Sequence, residues 1–312
     1  LVQEAILQNE QLRTRIADEI SGLLGFGKRG FGRTLLSPFI KKVSSRLASI
    51  ATGFEERVSH LGFSKASQWI LPKFTSELRT TYEANIPSSR PLLIGANHPG
   101  GIDALAVTAS SKRDDLKIVV SQIPFIRLLP HTSEHMIWSS LDTYERMLVI
   151  RSIIRTLKDG GAVLIFPSGT VDPDPDQMSG SKEALQSWSS SIETILRVVP
   201  DCQFVSAIVS GVVEPELLTH PITRLRKNVR NRQKVAELLH ITRGIFNPMK
   251  ISLTTRLSFS RPRAGRDFVR NGSRFGREIV RQTEMLLASH CHSRGLDGKP
   301  NRAFDDAPAG PF

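Results

Sequence analysis

Apolar residues recur along this chain in two periods, and the change of period divides it. Up to about Leu78 they fall at helical spacing. Val2, Ile6, Leu12, Ile16, Ile20, Leu23 and Leu24 come first, then Leu35, Leu36, Phe39, Ile40, Val43 and Leu47, then Phe54, Val58, Leu61, Trp69, Ile70 and Leu71. Polar residues fill the gaps, so the spacing predicts amphipathic helices. From Pro91 the pattern changes to short apolar runs: Pro91–Ala96, Lys117–Ser121, Gly161–Phe166, Phe204–Val213 and Ile251–Phe259. These read as strands. Between them, Asp103–Ala109, Leu141–Lys158 and residues 181–197 return to helical spacing, and Asp159-Gly160-Gly161 is a strong helix stop. The alternation argues for βαβ units, hence an α/β fold: a largely parallel mixed sheet flanked by helices, with an N-terminal helical region.

The same pattern divides the chain into a helical region over 1–80, an α/β domain over 81–292 and a disordered tail over 293–312, rich in Gly, Pro and charge. Two readings compete for the helical region. The preferred one packs its apolar faces on the core; the other is a membrane-surface helix with Phe26, Phe31 and Phe39 among basic residues. Gly25–Arg33 is glycine-rich and basic, but it lacks the G-K-[ST] ending of a phosphate loop. There is no internal repeat.

Composition narrows the class. At 312 residues with 39% hydrophobic content, the chain can bury a full core. Its two cysteines, Cys202 and Cys291, suggest no disulfide framework and fit a reducing compartment. No apolar run reaches the roughly 20 residues needed to cross a bilayer. The chain opens on Leu1 rather than a methionine, which leaves room for a preceding segment carrying targeting information. A formal net charge of +12 favours an anionic partner. Basic residues concentrate in Thr223–Arg243, read as a helix or helix pair, and at Arg261, Arg263, Arg266, Arg270, Arg274, Arg277 and Arg281, expected mostly on a last helix. Such a face could contact nucleic-acid phosphates. No helix-turn-helix, zinc finger or RNA-binding aromatic signature accompanies it, so nucleic acid is the disfavoured partner.

Two turns carry the candidate chemistry. Asn97-His98-Pro99-Gly100-Gly101-Ile102-Asp103 lies between a strand and a helix, where open α/β sheets build their sites. A histidine near its ordinary pKa can accept a hydroxyl proton if its other ring nitrogen is held by a partner. Two glycines among the four intervening residues let Asp103 fold back to be that partner. The plainer reading makes Asp103 only the N-cap of the next helix. The second turn, Phe166-Pro167-Ser168-Gly169-Thr170, again ends a strand. Its surroundings lack the G-x-S-x-G of a serine nucleophile. After it, Val171-Asp172-Pro173-Asp174-Pro175-Asp176 reads as a solvated, proline-broken loop without a calcium-loop ligand order.

In order, spacing and strand context, N-H-P-G-G-I-D and F-P-S-G-T resemble the N-H-x4-D and F-P-E-G-T-R motifs of the glycerolipid acyltransferases, the glycerol-phosphate and lysophosphatidate acyltransferases. The resemblance spans roughly residues 85 to 260. It implies transfer of a fatty acyl group from acyl-CoA or acyl-carrier protein to a hydroxyl of a lipid-type acceptor, with no bound cofactor and no metal. His98 would be the general base and Asp103 its orienting partner. Asn97, Gly100, Gly101, Phe166, Pro167, Ser168, Gly169, Thr170, Arg127 and Arg146 would line the substrates. An anionic membrane surface is an expected partner, and the expected location is cytoplasmic and peripherally membrane-associated. The alternatives are an inactive family member and a basic protein that binds nucleic acid or membrane. The second motif departs from the family at Ser168, where it has Glu, and at Val171, where it has Arg. Without that arginine, and with Asp172 and Asp174 expected near the acceptor, a phosphate monoester should be a poor acceptor and a neutral or amine-bearing hydroxyl compound a better one.

Overall fold

The computed structural model describes residues 2–25, 31–121, 123–139, 143–188, 191–269 and 275–295. Eight strands among them form one sheet: β1 (Glu77–Tyr82), β2 (Leu92–Ala96), β3 (Leu116–Ser121), β4 (Met136–Ser139), β5 (Ala162–Ile165), β6 (Gln203–Ser210), β7 (Thr254–Phe259) and β8 (Arg263–Ala264). The order is β1-β7-β6-β2-β5-β3-β4, with β8 paired to β6. Strands β6, β2, β5, β3 and β4 run parallel. Strands β7 and β1 are parallel to each other, and β7 is antiparallel to β6. The result is the mixed, largely parallel sheet the sequence predicts.

Helices cover both faces, which is why β2 and β5 are apolar at every position rather than alternating. Successive side chains of β2 enter different layers. Leu92, Ile94 and Ala96 pack with Leu12, Ile16, Ile40, Val43 and Phe54 of the N-terminal helices Val2–Leu23 and Phe31–Leu61. Leu93 faces the other way, toward Phe204, Phe268, Phe275 and Ile279, the last two on the helix Phe275–Gly295. The apolar stripes of the N-terminal helices therefore form one wall of the main core.

Four expectations need correction. The helical reading through Leu78 overshoots: helix Phe63–Ile70 and a 3-10 turn at Leu71–Lys73 end it, and β1 begins at Glu77. The sequence also showed no sign of β4. Strands β1 and β4 are the two edges of the sheet, and an edge strand with one neighbour and an exposed flank carries little apolar pattern. Residues 181–197 form two helices, Ser181–Gln186 and Ser191–Val198, with buried Trp188 between them. Finally, the C-terminal arginines are not gathered on one helix. Arg263 lies in β8, Arg266 in the short helix Gly265–Val269, and only Arg277 and Arg281 on Phe275–Gly295. Arg270 and Arg274, the basic stretch 26–30 and the tail from 296 lie outside the described residues.

Candidate active site

Strands β2 and β5 are parallel neighbours with Gly95 opposite Ile165. Residues just beyond their C-terminal ends therefore emerge side by side, which brings together two turns that lie some seventy residues apart. Asn97 marks where β2 stops. Its Nδ2 donates to the Val209 carbonyl at 2.9 Å and its Oδ1 accepts the Val209 N–H at 2.7 Å. The side chain is buried and turned into the sheet, so Asn97 positions the turn rather than meeting a substrate.

His98 follows, with Nδ1 2.9 Å from Asp103 Oδ2. The imidazole is 30% exposed and the carboxylate fully buried. Asp103 opens the helix Asp103–Ser111 and also accepts the Gly100 N–H at 3.1 Å and the Ala104 N–H at 2.5 Å. These donors and the positive end of the helix make a buried carboxylate tenable. Asp103 is the histidine partner and the first residue of the helix, whose N-cap is Ile102, so the N-cap reading is corrected. With Nδ1 committed, Nε2 is the nitrogen left for a ligand.

The second turn lies against the first. The Phe166 ring is 4.4 Å from the His98 ring, at 31° to it. Pro167 is buried beneath. Ser168 Oγ lies 2.9 Å from the Thr170 carbonyl and 3.1 Å from Asp172 Oδ2, so its proton is committed within the loop. Gly169, at φ 66°, donates its N–H to the Phe166 carbonyl at 3.0 Å. The Thr170 N–H has only a long contact, 3.4 Å, to Ser168 Oγ.

The acidic loop is not solvated. Asp172, Asp174 and Asp176 are all buried. The chain turns at 175–177, where the Asp174 carbonyl accepts the Gln177 N–H at 3.0 Å and the Met178 N–H at 2.8 Å, and the three carboxylates are all on the interior side. Asp172 Oδ2 accepts the His98 N–H at 2.9 Å, and the Asp172 N–H donates to the His98 carbonyl at 2.8 Å. Asp174 accepts N–H groups from Gly211 and Val212 at 3.0 Å and from Asp176 at 2.9 Å, just past the end of β6. These aspartates brace the site from below and do not face an acceptor. The expectation that they repel a phosphate there is withdrawn.

Two residues of the helix Val229–Phe246, one turn apart, complete the site and were not foreseen. Gln233 Nε2 donates to the Pro99 carbonyl at 2.7 Å and the Asp172 carbonyl at 3.0 Å. Glu237 accepts the Gly101 N–H. The turn is closely packed: a Cβ on Gly100 would lie 3.1 Å from Val212 beyond β6, and one on Gly101 would displace the Glu237 carboxylate. The only local sequence signal was a pair of polar residues at i, i+4 on an otherwise basic helix.

Electrostatics follow from this packing. Burial pulls His98 toward its neutral form, but the Asp103 carboxylate, with Glu237 and Asp172 beyond it, outweighs burial and raises its pKa to about 9. Burial raises Glu237 and Asp172, with the Gly101 and His98 N–H groups respectively working against it. Burial, with Asp176 nearby, raises Asp174 to about 6.

The two arginines read as substrate groups are not drawn into this cluster. Arg127 stacks on Trp138 of β4, 4.0 Å from the ring centre, at the sheet edge. Arg146 is exposed near the start of the helix Thr143–Lys158. Among the described residues, no group of three or more His, Cys, Asp or Glu is arranged to hold a metal ion.

Residues 77–206 match the family model described as Acyltransferase. No curated relative matches the chain. Among solved structures, the 1-acyl-sn-glycerophosphate (LPA) acyltransferase PlsC from Thermotoga maritima is similar at 15% identity, with 92% of this chain and 97% of that chain covered and a TM-score of 0.41.

Proposed function

We propose, from the match of residues 77–206 to the acyltransferase family model, that this chain moves a fatty acyl group from an acyl thioester to a hydroxyl of a lipid-type acceptor, such as a lysophospholipid or a related molecule. The supporting observation is the His98–Asp103 contact at the C-terminal edge of the sheet, with Nε2 left for the acceptor.

The acceptor hydroxyl gives its proton to His98 Nε2 as its oxygen bonds to the thioester carbonyl carbon. Asp103 stabilises the imidazolium that results. When the tetrahedral intermediate collapses, the C–S bond breaks and His98 returns the proton to the leaving thiolate. No covalent enzyme intermediate is needed, and the internal bonding of Ser168 agrees with that. Of the second turn's N–H groups, that of Thr170 is the least committed and is our choice for the oxyanion. Phe166 supplies the apolar wall beside the reacting carbon. The donor is acyl-CoA or acyl-carrier protein, and the enzyme works at an anionic membrane surface.

Mass-spectrometric analysis after incubation with acyl-CoA or acyl-carrier-protein thioesters and a lipid extract tests the reading. An acylated lipid formed with stoichiometric release of thiol is expected. Folded protein that releases no thiol and forms no product with either donor would overturn it.

A further inference from the structure

The His98 turn is surrounded by negative charge, and one of its carboxylates differs from the rest in how it is held. Asp103 is saturated by His98, Gly100 and Ala104, and Asp172 by the His98 N–H and Ser168. Glu237 is tied only through Oε1, to the Gly101 N–H, and among the described residues no donor reaches its Oε2. Gln233, one turn earlier, clamps the same helix face to Pro99 and Asp172, so Glu237 is fixed over the turn. The charged neighbours acting on it are His98, Asp103 and Lys234, and Lys234 is exposed. Among the described residues, no arginine or lysine hydrogen-bonds within this group of carboxylates.

We propose that Glu237 sets the acceptor class: its carboxylate bars a phosphate monoester from the His98 turn and pairs with a primary ammonium group carried near the acceptor hydroxyl. The proposal rests on the acyltransferase reading above and replaces the withdrawn role of Asp172 and Asp174. A dianion placed beside Glu237 would meet like charge. An ammonium group there would donate to Oε2 in a charge-assisted hydrogen bond, and its neighbouring hydroxyl would fall to Nε2 of His98.

The test is an acceptor panel of matched chain length at a fixed acyl donor: lysophosphatidate, monoacylglycerol, lysophosphatidylethanolamine and sphinganine. The last two separate a phosphoethanolamine headgroup from an amino alcohol as the source of the ammonium. Wild-type kcat/KM should be at least tenfold higher for one of the ammonium-bearing acceptors than for lysophosphatidate, with monoacylglycerol between. In Glu237→Gln the amide oxygen can still accept the Gly101 N–H while the charge is gone, and that ratio should fall at least tenfold. Glu237→Ala should move it the same way and serves if the Gln variant does not fold. Kd values for the same four compounds, measured without donor, should show the same order and the same shift. If no acceptor is acylated but the Kd order and its shift appear, the acyltransferase reading fails and the role of Glu237 stands. A ratio unchanged by both variants, or a wild type that prefers lysophosphatidate, overturns the proposal.

Discussion

His98 lies within reach of three carboxylates, Asp103, Glu237 and Asp172, and together they make the imidazolium its resting form at neutral pH. A general base works only when neutral. Log kcat/KM should therefore rise with a slope near one from pH 6 and level off at about 9, as His98 loses its proton. A profile flat from pH 6 to 9 would contradict this. His98→Ala should abolish thioester-dependent transfer while leaving the circular dichroism spectrum unchanged. Asp103→Asn should lower kcat by a factor on the order of 100, because an amide neither fixes the tautomer nor stabilises the imidazolium. Near-normal turnover by folded His98→Ala would remove His98 from the mechanism. The His–Asp pairing was readable in advance because four intervening residues with two glycines close a short loop. Glu237 was not, since its place at Gly101 depends on a contact 136 positions away in sequence.

At the scale of elements, the loop 171–176 shows how a segment that looks solvated becomes interior. Asp174 satisfies three buried N–H groups beyond β6, and each such group left unpaired costs about 1–3 kcal/mol. Asp174→Ala should thus lower the unfolding free energy by about 3 kcal/mol or more in urea titrations. It should also reduce activity, because the same loop carries Asp172 beneath His98. The pH dependence has a definite sign. Asp174 goes from 3.8 to about 6 on folding, so the folded state holds the proton more tightly. Its contribution is full below pH 4 and is lost as pH rises through 6. The stability difference between wild type and Asp174→Asn should therefore be larger at pH 4 than at pH 7, by on the order of 2–3 kcal/mol. A difference independent of pH would mean that Asp174 titrates normally.

Over the whole molecule, the charge of +12 has no single basic helix to sit on, yet it still favours an anionic surface. No helix among the described residues is long and apolar enough to cross a membrane. On the helix Phe31–Leu61, Phe39 is 46% exposed beside exposed Lys41 and Lys42, and Lys42 lies over Phe246, three residues before the fully open Met249. We expect cosedimentation with vesicles containing anionic lipid and release as salt rises past about 0.1 M, where screening acts within about 10 Å. Equal binding to neutral and anionic vesicles would count against it. The sequence by itself determined the central strands, the helices between them and the two turns at their ends, because period, glycine stops and short loops are local properties. The tertiary structure alone decided the edge strands β1 and β4, whose half-exposed positions leave no periodic signal. It also decided that the aspartates after Thr170 face inward and that Glu237 accepts the Gly101 N–H of the His98 turn. Those facts depend on the register of β2 against β5 and on how the helix Val229–Phe246 docks, and a packing between distant segments leaves no mark on the local order of residues.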